Sequence, residues 1–217
     1  MRNNEIKIDL HVHSKYSDDG VLEPEEIVRI AQKRGLSGIA ITDHNTIRGS
    51  EEAKKYETGD FKVITGAEIM TEKGEITGLF LCEEITARRF EDVIADIKAQ
   101  GGLVIVPHPF DELRRSAFHI TQEYVSLIDA IEAFNSRCVL QRYNRRAFEF
   151  AAHCNLPIVS GSDAHYANEI GLGGIITHSY DIKEAILQQD LSIFGKRSSV
   201  TNHARTKIRK LWRKTAK

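Results

Sequence analysis

The 217-residue chain holds three cysteines, four prolines and one tryptophan, and its scarcities already remove several kinds of protein. Cys82, Cys138 and Cys154 are scattered with no Cys-x-x-Cys pair, which argues against a disulfide framework and a cysteine zinc site and fits a reducing compartment. No apolar run approaches the ~18 residues that a membrane span needs. Residues 1–5 lead into a strand-like segment with no apolar signal region, so a soluble cytoplasmic protein is expected. Repeats, low-complexity segments and Pro- or Ser-rich linkers are missing as well. The "GLGG" of residues 171–174 matches neither a dinucleotide fingerprint nor a P-loop. The "GSDAH" segment around Ser162 lacks the G-x-S-x-G elbow, which argues against a serine nucleophile at Ser160 or Ser162.

Charge is present in both signs but unevenly placed. The net charge is -1, yet residues from Lys196 onward carry nine Lys or Arg and no Asp or Glu, so residues 1–195 sum to -10. The expected organisation is a body of residues 1–195 followed by a basic helical tail, 196–217. That tail reads either as a solvated or barrel-packed helix, with Ile208, Leu211 and Trp212 at roughly helical spacing, or as a grip for nucleic acid or phosphate-rich partners.

Along the body, short β-branched runs alternate with amphipathic stretches. "IKIDLHV", "GIAIT", "FKVITGAEI", "EITGLFL", "LVIVPH", "DAIEAF", "LPIVSGS" and "GGIIT" read as strands. Residues 24–35 read as a helix with Pro in the first turn and Gly past the end, and "RFEDVIADIKAQGG", "CVLQRYNRRAFEFAAHC" and "DIKEAILQQ" as further helices. This alternation predicts parallel strands with crossover helices, in a barrel or a doubly wound sheet.

Five strand ends supply imidazole or carboxylate. His11 and His13 share one face of the first strand, because side chains alternate with period two. Asp43 and His44 end the second, Glu68 lies near the end of the third, His108 follows "VIVP", Asn135 ends "EAFN", and Asp163 and His165 follow "VSGS". In parallel α/β architectures the carboxyl ends of strands form the functional face. A mixed imidazole and carboxylate set suits zinc, manganese or iron, and its size exceeds the roughly four ligands of one zinc, so two or three divalent ions are expected. Such a centre activates water and stabilises charge on attacking and leaving oxygens. His119, His153, His178 and His203 fall in helical or loop contexts and read as ordinary histidines.

With "DLHVHS", "ITDHN", "GAEI", "PHP" and "GSDAH" in this order, residues 7–177 resemble the polymerase and histidinol phosphatase (PHP) family of metal-dependent phosphoesterases. The resemblance implies a distorted (β/α)7 barrel with metals at the C-terminal rim. It also implies that His11, His13, Glu68 and Asp163 hold one ion, that Glu68 bridges to a second at His108, and that His44, His165 and an aspartate hold a third. Counting from His13 gives Asp18 as that aspartate; anchoring on the following glycine gives Asp19. Where many members have a histidine ligand, this chain has Glu75, either a carboxylate replacement or a glutamate at a turn. Asp43 is expected to orient a ligand histidine or shape its loop. Arg114, Arg115 and Arg137, which follow rim strands, are the candidates for substrate phosphate. The expected activity is hydrolysis of small phosphomonoesters; the alternatives are action on nucleic-acid ends and a non-catalytic binding module.

Overall fold

The computed structural model describes residues 5–215, with side chains throughout except at 207 and 210–215. In chain order the elements are β1 (Ile6–Val12), α1 (Pro24–Lys33), β2 (Gly38–His44), α2 (Arg48–Ala53), β3 (Lys62–Thr71) and β4 (Gly74–Leu79). They continue with α3 (Phe90–Ala99), β5 (Leu103–Val106), β6 (Ala130–Asn135), α4 (Gln141–Cys154), β7 (Ile158–Gly161), β8 (Gly173–Thr177), α5 (Ile182–Leu187), β9 (Ser192–Gly195) and α6 (Val200–Thr215).

The helices form where the sequence supplies a buried stripe and matching ends. In α1, Pro24 occupies the first turn beside Glu25 and Glu26, Lys33 closes the last turn, and Ile27, Val28 and Ala31 are buried. In α3, Phe90, Val93, Ile94 and Ile97 recur at helical spacing and are all buried. Asn155 ends α4 in the left-handed conformation, φ 52°, which asparagine tolerates well.

The strands form one sheet in the order β7-β6-β5-β4-β3-β2-β1-β8-β9. Past β7 the chain pairs back onto β1: the His13 amide donates to the Ala164 carbonyl at 2.8 Å, and Val12 and Ala164 form a parallel bridge. The sheet therefore nearly closes into the expected barrel. Ile8, Leu10, Ile64, Leu79, Ile105, Val159 and Ile175 pack in one cluster with Ile182 and Ile186 of α5. Two further clusters seat α1 and α3 against the strands.

Strict alternation is broken at two places. β3 and β4 are antiparallel and joined by a two-residue turn, Thr71 pairing with Gly74, where alternation predicts a crossover helix. Gly74 at φ +127° makes that turn; an added Cβ there would lie 2.6 Å from the Phe118 backbone. β8 and β9, the latter not evident as a strand in the sequence, are antiparallel to their neighbours. Because β4 runs backwards, its first residues lie beside the end of β3, so a residue at the start of a strand reaches the rim.

Among the described residues no helix is long and apolar enough to cross a membrane. The tail is helical as α6, with Ile208 exposed; Leu211 and Trp212 lie outside the described side chains.

Candidate metal centre

The two histidines of β1 converge as period two requires: His11 Nε2 and His13 Nε2 stand 3.1 Å apart. Around them the strand ends deliver the rest. His108 Nε2 lies 2.9 Å from Glu68 Oε1, His44 Nδ1 lies 3.1 Å from Glu68 Oε2, and His165 Nε2 lies 2.9 Å from Asp19 Oδ2. Asp163 Oδ1 stands 3.4 Å from His13 Nε2 and 3.8 Å from His11 Nε2.

Among the described residues donor atoms converge in four overlapping groups: His13, Asp19, His44 and His165; His11, His13 and Asp163; His11, Glu68 and His108; and His44, Glu68 and Glu75. Ligands about 2.1 Å from a shared tetrahedral ion sit roughly 3.4 Å from one another, close to the separations found here. Among the described residues Asp163 Oδ1 has no hydrogen-bond partner although it is buried, as a carboxylate oxygen reserved for a cation would be. By donor chemistry and by geometry, the residues fit divalent metal ions.

Glu75 lies on β4 two residues before Thr77, the cross-strand partner of Glu68, so the two glutamates share a face. Its carboxylate is 4% exposed, with Oε2 3.7 Å from His108 Nε2 and Oε1 3.8 Å from His44 Nδ1. The antiparallel hairpin thus carries Glu75 into the cluster. Of the two aspartates, Asp19 is buried in the cluster while Asp18 is exposed. Gly20 lets the loop close, since a Cβ there would stand 1.8 Å from the Ser14 carbonyl oxygen.

Buried acceptors fix the imidazoles. His11 Nδ1 faces Glu132 Oε1 at 3.1 Å, leaving Nε2 for the cluster, and Glu132 Oε2 accepts from the His108 amide and from Asn135 Nδ2, both at 2.9 Å. His13 Nδ1 meets Ser17 Oγ at 3.0 Å, and Ser17 Oγ donates to Asp43 Oδ1 at 2.7 Å. Asp43 also accepts from the Ser14 amide and hydroxyl at 2.7 and 2.5 Å. It therefore acts on His13 through Ser17 and on the loop through Ser14. His165 Nδ1 lies 2.8 Å from the Asp163 carbonyl, again leaving Nε2 free to ligate.

The electrostatics follow from crowding buried charges. Burial would lower the His11 and His44 pKa values, but Glu132, Asp163 and Glu68 around His11, and Asp19 and Glu68 around His44, hold both well above the ordinary value. Burial together with His165 and His44 pushes His13 down to about 3, so it stays neutral. Against burial, Arg114 and His11 keep Asp163 well below the carboxylate range, and His11 and His108 do the same for Glu68. His108 and Asp163 both adopt positive φ, 32° and 55°, a strained backbone at two of the clustered donor residues.

The three candidate phosphate arginines separate. Arg114 donates through Nη2 to Asp163 and through Nε to Asp111 at 3.1 Å, with its side chain 22% exposed at the cluster's edge. Arg115 is exposed. Arg137, expected on the substrate side, is instead buried, its Nη1 bound to both Glu169 oxygens and its Nη2 to Thr206. The position after "FNS" marked a rim location but not a direction.

Sequence reasoning passed over Glu132 and Glu169. The signal for Glu132 was a carboxylate within the apolar strand "DAIEAF". It also set His203 among ordinary histidines. His119, His153 and His178 are indeed exposed, but His203 on α6 is half-buried, and burial with Arg137 and Arg114 lowers it to about 4.

An uncharacterized protein of Methanocaldococcus jannaschii is 43% identical over 144 residues, 60% of this chain and 82% of its own length. A two-domain protein from Bacteroides vulgatus, described as containing a predicted PHP-like metal-dependent phosphoesterase, superposes with a TM-score of 0.73 at 22% identity. That match covers 88% of this chain but 65% of the other, so the chain spans just under two thirds of it. Endonuclease Q, solved with a 27-mer duplex substrate carrying an abasic lesion at the active site, superposes with a TM-score of 0.61 at 16% identity, over 88% of this chain and 58% of that one. At these identities the two structures speak to the barrel alone. The PHP domain family matches residues 9–197, most of the chain, and the chain belongs to that family.

Proposed function

We propose that this chain is a metal-dependent phosphoesterase that hydrolyses phosphomonoesters of small organic molecules or nucleotides. The observation that carries this reading is the interlocking of the donor groups through Glu68, His11, His13 and His44, with Arg114 at the edge bound to Asp163. Two or three bound zinc, manganese or iron ions would activate water and polarise the phosphoryl oxygens. His11, His13 and Asp163 would hold one, Glu68 with His108 and Glu75 a second, and Asp19, His44 and His165 a third.

The chain's own residues supply the rest. Arg114 keeps N–H groups beyond those given to Asp111 and Asp163, and a guanidinium at the edge of an anion site can grip phosphoryl oxygens. Glu132, Ser17 and the Asp163 carbonyl hold three imidazoles with Nε2 inward, so no rearrangement is needed before ligation.

The test is phosphate release from phosphomonoesters, nucleoside bisphosphates and 5′-phosphorylated oligonucleotides, with manganese, zinc or iron and a chelated control. Chelator-sensitive turnover lost in His11→Ala is expected. Bound metal without turnover on any ester would refute the reading, and absence of bound metal would favour a non-catalytic module.

A second reading, action on nucleic-acid ends, is favoured by one contact: the Arg205 guanidinium of α6 stacks 4.6 Å over the ring of Tyr166, next to His165. If phosphate backbone is gripped there, Arg205→Ala lowers the slope of log affinity against log salt by ~1 for oligonucleotides and leaves small-ester turnover unchanged. Deleting residues after Lys196 is a poorer discriminator, because it also removes Ser198 and Thr206, which bond to Glu169 and Arg137.

A further inference from the structure

Glu169 is completely buried, four residues beyond His165, and holds no position in the donor groups. Its Oε2 accepts from the backbone amides of His165 at 3.0 Å and Tyr166 at 3.1 Å. Arg137 Nη1 donates to Oε1 and Oε2 at 3.1 and 3.0 Å, and Ser198 Oγ donates to Oε1 at 2.5 Å. Arg137 Nη2 continues to Thr206 Oγ1 at 2.9 Å, and Thr206 donates to the Asn202 carbonyl at 3.0 Å. An unbroken set of buried hydrogen bonds thus joins α6 to the backbone of the turn that presents Asp163 and His165.

That turn needs holding. Asp163 is in the left-handed region at φ +55°, a conformation that persists in a non-glycine residue only when its surroundings impose it. Its carbonyl sets the His165 ring at 2.8 Å, and the ring then reaches Asp19 at 2.9 Å. A shift of the 165–166 backbone would therefore displace two donor side chains together.

We propose that Glu169 is a positioning residue for the metal-binding turn of Asp163 and His165, and that α6, through Ser198, Arg137 and Thr206, braces it. The C-terminal helix then sets metal affinity at the rim without contributing a ligand. The inference rests on the metal-centre reading above and concerns binding rather than turnover.

The test titrates the chelator-stripped 217-residue chain as wild type, Glu169→Gln, Ser198→Ala and Thr206→Val with manganese and with zinc by calorimetry, and records melting temperatures with and without metal. Affinity is expected to fall ~10-fold or more in Glu169→Gln and ~2- to 3-fold in the other two, with a smaller metal-induced rise in melting temperature in each. A merely structural brace would lower the melting temperature of the stripped variants and leave affinity and the metal-induced rise as in wild type. That result overturns the proposal, and Ser198→Ala and Thr206→Val deliver it even if Glu169→Gln does not fold. Unchanged variants beside a metal-binding wild type overturn this inference alone; a wild type that takes up no ion overturns the metal centre with it.

Discussion

Replacing Glu132 by Gln tests the reasoning most sharply, because it keeps shape and removes one acceptor. The carboxylate is 3% exposed and serves three partners: His11 Nδ1 through one oxygen, the His108 amide and Asn135 Nδ2 through the other. A carboxamide has one acceptor oxygen. Turned one way, its NH2 faces the His108 amide and Asn135, leaving buried donors opposed at a cost of about 1–3 kcal/mol. Turned the other way, it faces His11 Nδ1, which can accept only as the tautomer that carries its proton on Nε2, the atom proposed to meet metal. Either way metal affinity falls by ~10- to 100-fold, the usual effect of removing a carboxylate behind a ligand histidine. Calorimetric titration of the stripped variant with zinc or manganese measures this directly. Affinity within twofold of wild type, with the fold intact by circular dichroism, would refute the tautomer argument.

Other predictions follow from the same geometry. Asp19→Asn is expected to weaken metal binding at least tenfold while Asp18→Asn leaves it within twofold; equal effects in parallel titrations would contradict the burial difference between them. Gly20→Ala should destabilise the chain by more than ~2 kcal/mol, since its Cβ meets backbone at 1.8 Å, and urea unfolding of the stripped protein measures this. For pH the signs are opposite in two sets of groups. The raised His11 and His44 contribute stability below their unfolded value of 6.5 and lose it as pH rises through their folded values. The depressed Glu68 and Asp163 contribute above their unfolded values of 4.5 and 3.8 and lose it as pH falls. Scanning calorimetry should therefore show the gap in melting temperature between metal-loaded and chelated protein widening as pH rises above 6.5; a gap that narrows would refute the assignment.

How far the sequence could be read depended on whether a residue's role is local. β1 spans the predicted "IKIDLHV" because alternation and β-branching are local signals, and His11 and His13 converge for the same reason. The sequence offered two ways of counting to the aspartate, and only the folded loop, closed at Gly20, separates buried Asp19 from exposed Asp18. Glu75 was ambiguous because its position depends on β4 running antiparallel, and that reversal is encoded in a two-residue turn rather than in the strand. Arg137 lay next to the rim in sequence, but the direction of its side chain was decided by Glu169 and Thr206, 32 and 69 residues away. No periodicity carries information of that kind.

The charge balance explains why so many carboxylates are tolerated at one end of a barrel. Asp19, Glu68, Glu75, Glu132 and Asp163 are each at most 4% exposed, and burying that much negative charge unpaired would cost several kcal/mol per group. In the metal-free protein the compensation comes from Arg114 and from protons held on His11 and His44. These imidazoles supply donor atoms to the groups that would receive metal. A divalent ion and protons on these imidazoles are thus alternative ways of neutralising the same cluster, and proton release is expected to accompany ion binding. The pH dependence expected of metal uptake and the tolerance of the buried carboxylates therefore have a single physical origin.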